Sequence, residues 1–230
     1  YRKKNLVISG KFPINIDNHL RDLTAFENIN KTNSNLEKKN TKNRFTSLYQ
    51  KKASIITRSL NTQQVILLLG KATIKYNNEA DILLRLISCY LGYGMSSLLF
   101  RVLREKHGVV YEAGIYHPIR ENQIPFIMHA STTEEKAILT LRLLQQCWDN
   151  VIESEISPEE LDILKMKYRG QIAHSFQSIS QRAEHKAHIL GIGLKKDHDK
   201  EILLRIESVS SKEIRDAANR YLKRPSLSVC

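Results

Sequence analysis

The segment 92–114, GYGMSSLLFRVLREKHGVVYEAG, limits the folds open to this chain more than any other. Gly92 and Gly94 reach backbone angles closed to other residues, and they stand directly before an apolar and basic run. Ser96 or Ser97 caps the helix that follows, and Leu98, Leu99, Val102 and Leu103 supply its apolar face. Arg101, Arg104 and Lys106 fall in its C-terminal part, where cations complement the helix dipole. Gly108 is the left-handed residue through which the chain leaves for a strand. The residues before Gly92 read as a helix too, with Asn77 as N-cap, Glu79 in the first turn and an end near Leu91. The glycines therefore fold one helix back against another.

Around this segment, strands and helices come in blocks. NLVISGKF (5–12) reads as a buried strand, and 14–26 carries Ile16, Leu20 and Leu23 at helical spacing. SIITRS (54–59) and TQQVILLLGKA (62–72) read as strands rich in aliphatic and β-branched residues. Residues 109–119 and 123–132 form a hairpin around 120–122, with Pro118 and Pro125 at strand ends or edges. A helix is expected from Thr132-Thr133-Glu134-Glu135, with Ile138, Leu141, Leu144, Trp148 and Val151 or Ile152 as its stripe. Ser157 and Pro158 open another as N-cap and first helical residue. Further helices run from Ser178 to Leu190 and from Ser210 to near Leu222, before a last strand, SLSVC. Segregated blocks predict an α+β fold, a two-layer sandwich with helices on one face of a mostly antiparallel sheet. SLSVC is similar to the first strand, as in a duplicated module. Residues 1–30 then end a preceding repeat, 31–52 are a linker, and 53–230 form the domain.

The net charge of +12 raises a nucleic-acid reading. Seven cations and one acid between 31 and 52 leave +6 there, half of the whole. That stretch is poor in apolar residues, and no aromatic residues alternate with its lysines as stacking platforms require, so it reads as a solvated linker, and nucleic acid is not an expected partner. Cys89, Cys147 and Cys230 are too far apart for a zinc ribbon or a disulfide framework. Their usage points to a reducing compartment, the cytoplasm or an organelle matrix. No apolar run approaches the roughly 18 residues of a membrane span. Neither a G-x-S-x-G elbow nor a P-loop occurs.

The run G-x-G-M-S-S-x-L-F-x-x-L-R-E-K-x-G-x-x-Y at 92–111 resembles the C-terminal-domain signature of the insulinase, pitrilysin and mitochondrial-processing-peptidase family of zinc metallopeptidases. The likeness extends to NLVISGKF, TTEEKAILTLRLL, SPEELDILKMKYRGQI, SVSSKEIRDAANRYL and SLSVC. It implies a domain that closes a chamber over a peptide substrate while a homologous zinc-binding domain or subunit holds the metal. The resemblance assigns Arg104 and Tyr111 to gripping a substrate carbonyl and stabilising the charge that develops on it. Taken alone, the same residues also fit a helix-end cation and a hairpin aromatic. Leu98 and Tyr93 stand where the family often has Arg and Gly. The family's zinc motif, His-x-x-Glu-His, is absent: in QRAEH (181–185) Gln181 replaces the first histidine. His185 and His188 share a helix face beside Glu184, a pattern more common on charged surfaces than in metal sites. No metal is expected on this segment, zinc being expected in a missing N-terminal domain or a partner chain. The segment is then inactive alone. The competing expectation is a non-catalytic scaffold or assembly subunit of the same fold.

Overall fold

A computed structural model describes residues 64–75, 79–120 and 122–230. The expected strands at 5–12 and 54–59, the helix at 14–26, the linker and the Asn77 cap lie outside the described residues. Alternation builds the first strand, β1 (Val65–Ala72): Leu67 and Leu69 are buried, while Ile66 on the opposite face is 44% exposed. β3 (Pro125–Thr132) repeats the pattern with Phe126, Met128 and Ala130 inward. With β2 (Glu112–Tyr116) and β4 (Ser226–Val229) these make an antiparallel sheet in the order β2-β3-β1-β4. Leu67 lies opposite Ala130 on one side, which continues the inward layer, and Val229 on the other, which stays 56% exposed on the edge strand. Pro125 opens β3, where its missing N–H leaves the ladder intact.

Helices cover the inward face, as the α+β reading requires. They are α1 (Asp81–Gly92), a π-helical segment (Phe100–Lys106), α2 (Ala137–Glu153), α3 (Pro158–His174), α4 (Ile179–Gly191), α5 (His198–Glu207) and α6 (Ser211–Tyr221). The core lies between the sheet and α1, α2 and α6. Trp148 is its largest fully buried side chain. Its indole N–H donates to the Leu222 carbonyl at 3.0 Å, and its ring meets Phe126 edge-on at 5.7 Å. One side chain thereby ties α2, β3 and the end of α6 together. Burying a large apolar side chain of this kind contributes about 3 kcal/mol by area alone.

Four expectations change in detail. The strand expected over 109–119 shortens to Glu112–Tyr116. α2 starts at Ala137, not at the threonine pair, because Thr132 stays in β3 with its hydroxyl donating to the Val109 carbonyl at 2.5 Å. α5 was not expected: its N-terminal residue Asp197 makes no side-chain cap, so the usual start signal is missing. The helix after Ser97 begins as two α-helical residues and then widens into the π-helical segment.

Candidate functional site

The signature segment folds as one device. α1 ends at Gly92, where β2 packs too close for a side chain: an added Cβ would lie 2.8 Å from the Ile115 nitrogen and 2.9 Å from its Cγ1. Gly94, at φ +73°, reverses the chain. Ser97 is buried, and its Oγ accepts from the Phe100 N–H at 3.4 Å, so the second of the two candidate caps is the one used. Leu99 and Leu103 then anchor the helix in the core.

Its exit is held as firmly as its start. The Gly108 N–H donates to the Arg104 carbonyl at 3.2 Å and the Val109 N–H to the Leu103 carbonyl at 2.9 Å. The first is the ordinary bond of a glycine-ended helix, while the second spans one residue more than its counterpart after an α-helix, as the π winding requires. Gly108 takes φ +57°, as the sequence predicts. Three side chains that sequence reasoning missed clamp this exit. The Thr132 and Thr140 hydroxyls lie 2.5 and 3.5 Å from the Val109 carbonyl, and the Lys136 ammonium donates to the Gly108 carbonyl at 3.0 Å. They come from β3, α2 and the turn between them, so no local spacing marks them.

Arg104 and Tyr111 stand on either side of that clamp. Arg104 is exposed, its guanidinium carbon 5.4 Å from the centre of the Phe100 ring. Among the described residues no carboxylate pairs with it. Tyr111 is 58% exposed, while its backbone N–H is fixed to the Ser131 carbonyl at 3.0 Å. Fixed main chain beneath an exposed donor describes both residues.

A hollow at the start of the same helix is lined by Tyr90, Ser96, Arg101, Glu160, Ile163, Leu164 and Lys167, and neither Arg104 nor Tyr111 is among its lining residues. Arg101 lies 3.6 Å from Glu160. Burial pushes the Tyr90 phenol up, with Glu160 adding to the shift and Arg101 opposing it. Burial also lowers Lys167. Behind the hollow, burial raises the Cys89 thiol to about 11 and does the same to Cys147, so both resist ionisation.

The QRAEH segment has other duties. Gln181 completes a capping box: its Oε1 accepts from the Ser178 N–H at 3.1 Å, and its own N–H donates to the Ser178 hydroxyl at 3.1 Å. His185 Nε2 lies 2.7 Å from Asp199 Oδ1. Among the described residues no group of three His, Cys, Asp or Glu side chains is placed to hold a metal ion. Among the same residues, no helix is long and apolar enough to cross a membrane.

An antiparallel sheet layered with helices, and a glycine-bounded helix delivering an arginine and a tyrosine to the surface, define an α+β domain built around its signature segment. The sequence profile described as the Peptidase M16 inactive domain matches residues 5–168, and the chain belongs to that family. An uncharacterized zinc protease of Rickettsia bellii is 26% identical over 167 residues, 72% of this chain and 40% of that protein. The chain thus spans well under half the length of this relative. A peptidase M16 inactive domain from Pseudomonas fluorescens superimposes with a TM-score of 0.66 at 19% identity, over 73% of this chain and 40% of that one. A protease from Helicobacter pylori does so with a TM-score of 0.67 at 19% identity, over 73% and 41%. At these identities the two structures speak to the fold.

Proposed function

We propose that this domain forms one wall of a substrate chamber in a zinc metalloendopeptidase and presents Arg104 and Tyr111 to the peptide. In this reading residues 53–230 are the chamber-closing domain, 1–30 end the preceding module, and a homologous zinc-binding domain, in the same chain or a partner, holds the metal. The observation that carries the reading is the clamped turn at Gly108, which holds two exposed donors on rigid backbone. A guanidinium and a phenol both donate hydrogen bonds. Placed over a substrate carbonyl, they orient it and favour the negative charge that builds on its oxygen during attack. Phe100, stacked beneath the guanidinium, limits where Arg104 reaches.

The test is peptide turnover by the complete enzyme. Arg104→Ala and Tyr111→Phe each remove one donor, and each is expected to lower kcat/KM about 100-fold, the usual cost of one oxyanion donor. Thermal unfolding stays unchanged, because both side chains are exposed. Unchanged turnover in both variants removes the catalytic role and leaves the scaffold reading.

A further inference from the structure

The hollow at the start of the signature helix holds a cation that the fold leaves without a counter-charge. Its charged groups are Arg101, Lys167 and Glu160, so two cations and one acid leave one positive charge over. Glu160 stands 3.6 Å from Arg101. Lys167 is half-buried, and among the described residues no carboxylate pairs with it. Its ammonium faces the Tyr93 ring instead, 6.0 Å from the centre. The Cys89 thiol behind the hollow supplies no negative charge, because burial raises it to about 11 and it stays protonated at neutral pH. A half-desolvated ammonium beside a like charge is costly unless an anion joins it.

The rim is apolar. Met95 is 75% exposed and Met166 60%, with Ile163 and Tyr93 exposed beside them. These side chains adjoin the hollow: Ile163 lines it, Tyr93 faces Lys167, and Met95 lies between Gly94 and the lining residue Ser96. Met166 follows Ile163 by one turn of α3. Exposed apolar side chains grouped at a cavity mark a surface that a partner covers, and methionines adapt to its shape. The volume of the hollow is about 200 Å³, below the roughly 300 Å³ at which small-molecule pockets begin. It therefore takes one side chain, while the rim takes the residues on either side. Glu159 and Asp162 stand exposed one turn before Ile163 and Met166, so an extended anionic surface, whether lipid headgroups or a nucleic-acid backbone, is repelled there. A single carboxylate matches the single excess charge, whereas a phosphate brings about −1.5 to −2. We propose that this face docks a segment of a partner polypeptide that sets one glutamate or aspartate between apolar residues. Its carboxylate enters the hollow to meet the Lys167 ammonium, and its apolar neighbours cover Met95, Ile163 and Met166.

This inference does not rest on the peptide-gripping role, and it is read without peptide turnover. The nitrogen-labelled full chain is titrated in the NMR spectrometer with acetyl-Ala-Leu-Glu-Leu-Ala-amide, and separately with the same peptide carrying Gln for Glu. Saturable shifts are expected in the amides of 92–101 and 158–168, with the glutamine peptide about tenfold weaker. Lys167→Gln is expected to weaken the glutamate peptide about tenfold and to leave the glutamine peptide unchanged, a pairing that a general loss of structure does not produce. Met95→Ser, at an exposed position, weakens both peptides about threefold. No saturable binding, equal binding of the two peptides, a glutamate peptide indifferent to Lys167→Gln, or shifts elsewhere on the chain overturns the proposal. So does acetate binding as tightly as the peptide, or phosphatidylglycerol vesicles bound in preference to it. Should Lys167→Gln fail to fold, the two peptides on the unchanged chain and Met95→Ser still decide.

Discussion

The sheet-facing core and the outer helices α4 and α5 are held by different forces. α1 buries eight residues and α2 seven, almost all apolar, around Trp148. By contrast α4 buries Ile189 alone and α5 Ile206 alone. Those two helices rely on the Ser178–Gln181 capping box and on Asp199, which binds both His185 and Lys186. Apolar burial is indifferent to pH, whereas hydrogen-bonded charges are not. The contrast teaches that the signature segment is anchored on the apolar part, through Leu99 and Leu103.

The hardest blow to the core side is Trp148→Ala. It leaves a large cavity and an unmet Leu222 carbonyl, and should cost about 3–5 kcal/mol in chemical denaturation. If the loss is below about 1 kcal/mol, α2 is not fastened as described. Gly92→Ala comes next, because its methyl group has the Ile115 backbone in its way. An overpacking cost of about 1–3 kcal/mol is expected in the same assay. At the polar side, Ser178→Ala removes one cap and should cost about 1 kcal/mol, seen as faster amide exchange in α4 with the core amides unaffected.

Acid separates the two regions without mutation. Burial raises the Asp199 carboxyl, but hydrogen bonds from Lys186 and His185 outweigh it and hold the group below the usual carboxylate range. A depressed carboxyl stabilises the fold above its unfolded value, about 3.9, and that contribution fades as pH falls toward the folded value. His198 is depressed too, mainly by burial, with Asp199, Glu201 and Asp81 opposing. Its unfolded form takes up a proton below about 6.5 while the folded form still resists, so this contribution also declines on acidification. Protection of the α5 amides, taken relative to the intrinsic exchange rate at each pH, should therefore fall as pH drops below about 6.5, and again below about 3.9, before the β1 and β3 amides respond. Simultaneous loss in all of them would erase the distinction drawn here.

The features legible in the sequence are those whose cause is local. Ser157 with Pro158, Ser178 and Ser210 announce helices because a cap acts within three residues, and all three side chains accept the expected bond. Gly108 announces its own left-handed turn. Arg104 and Tyr111 are singled out by the resemblance alone, since exposed residues carry no packing pattern. The Thr132–Thr140–Lys136 clamp is not legible, because it assembles residues from separate elements that meet only in the folded chain. The π winding escaped for a different reason: it follows from where Val109 is pinned, not from the composition of Phe100–Lys106.

Burial of Cys89 and Cys147 gives the domain an internal clock. A thiol that ionises only near 11 barely reacts with an alkylating reagent at neutral pH while it stays enclosed, whereas Cys230 is exposed and reacts first. One labelled site marks the folded chain, and the slow arrival of the second and third counts how often the interior opens.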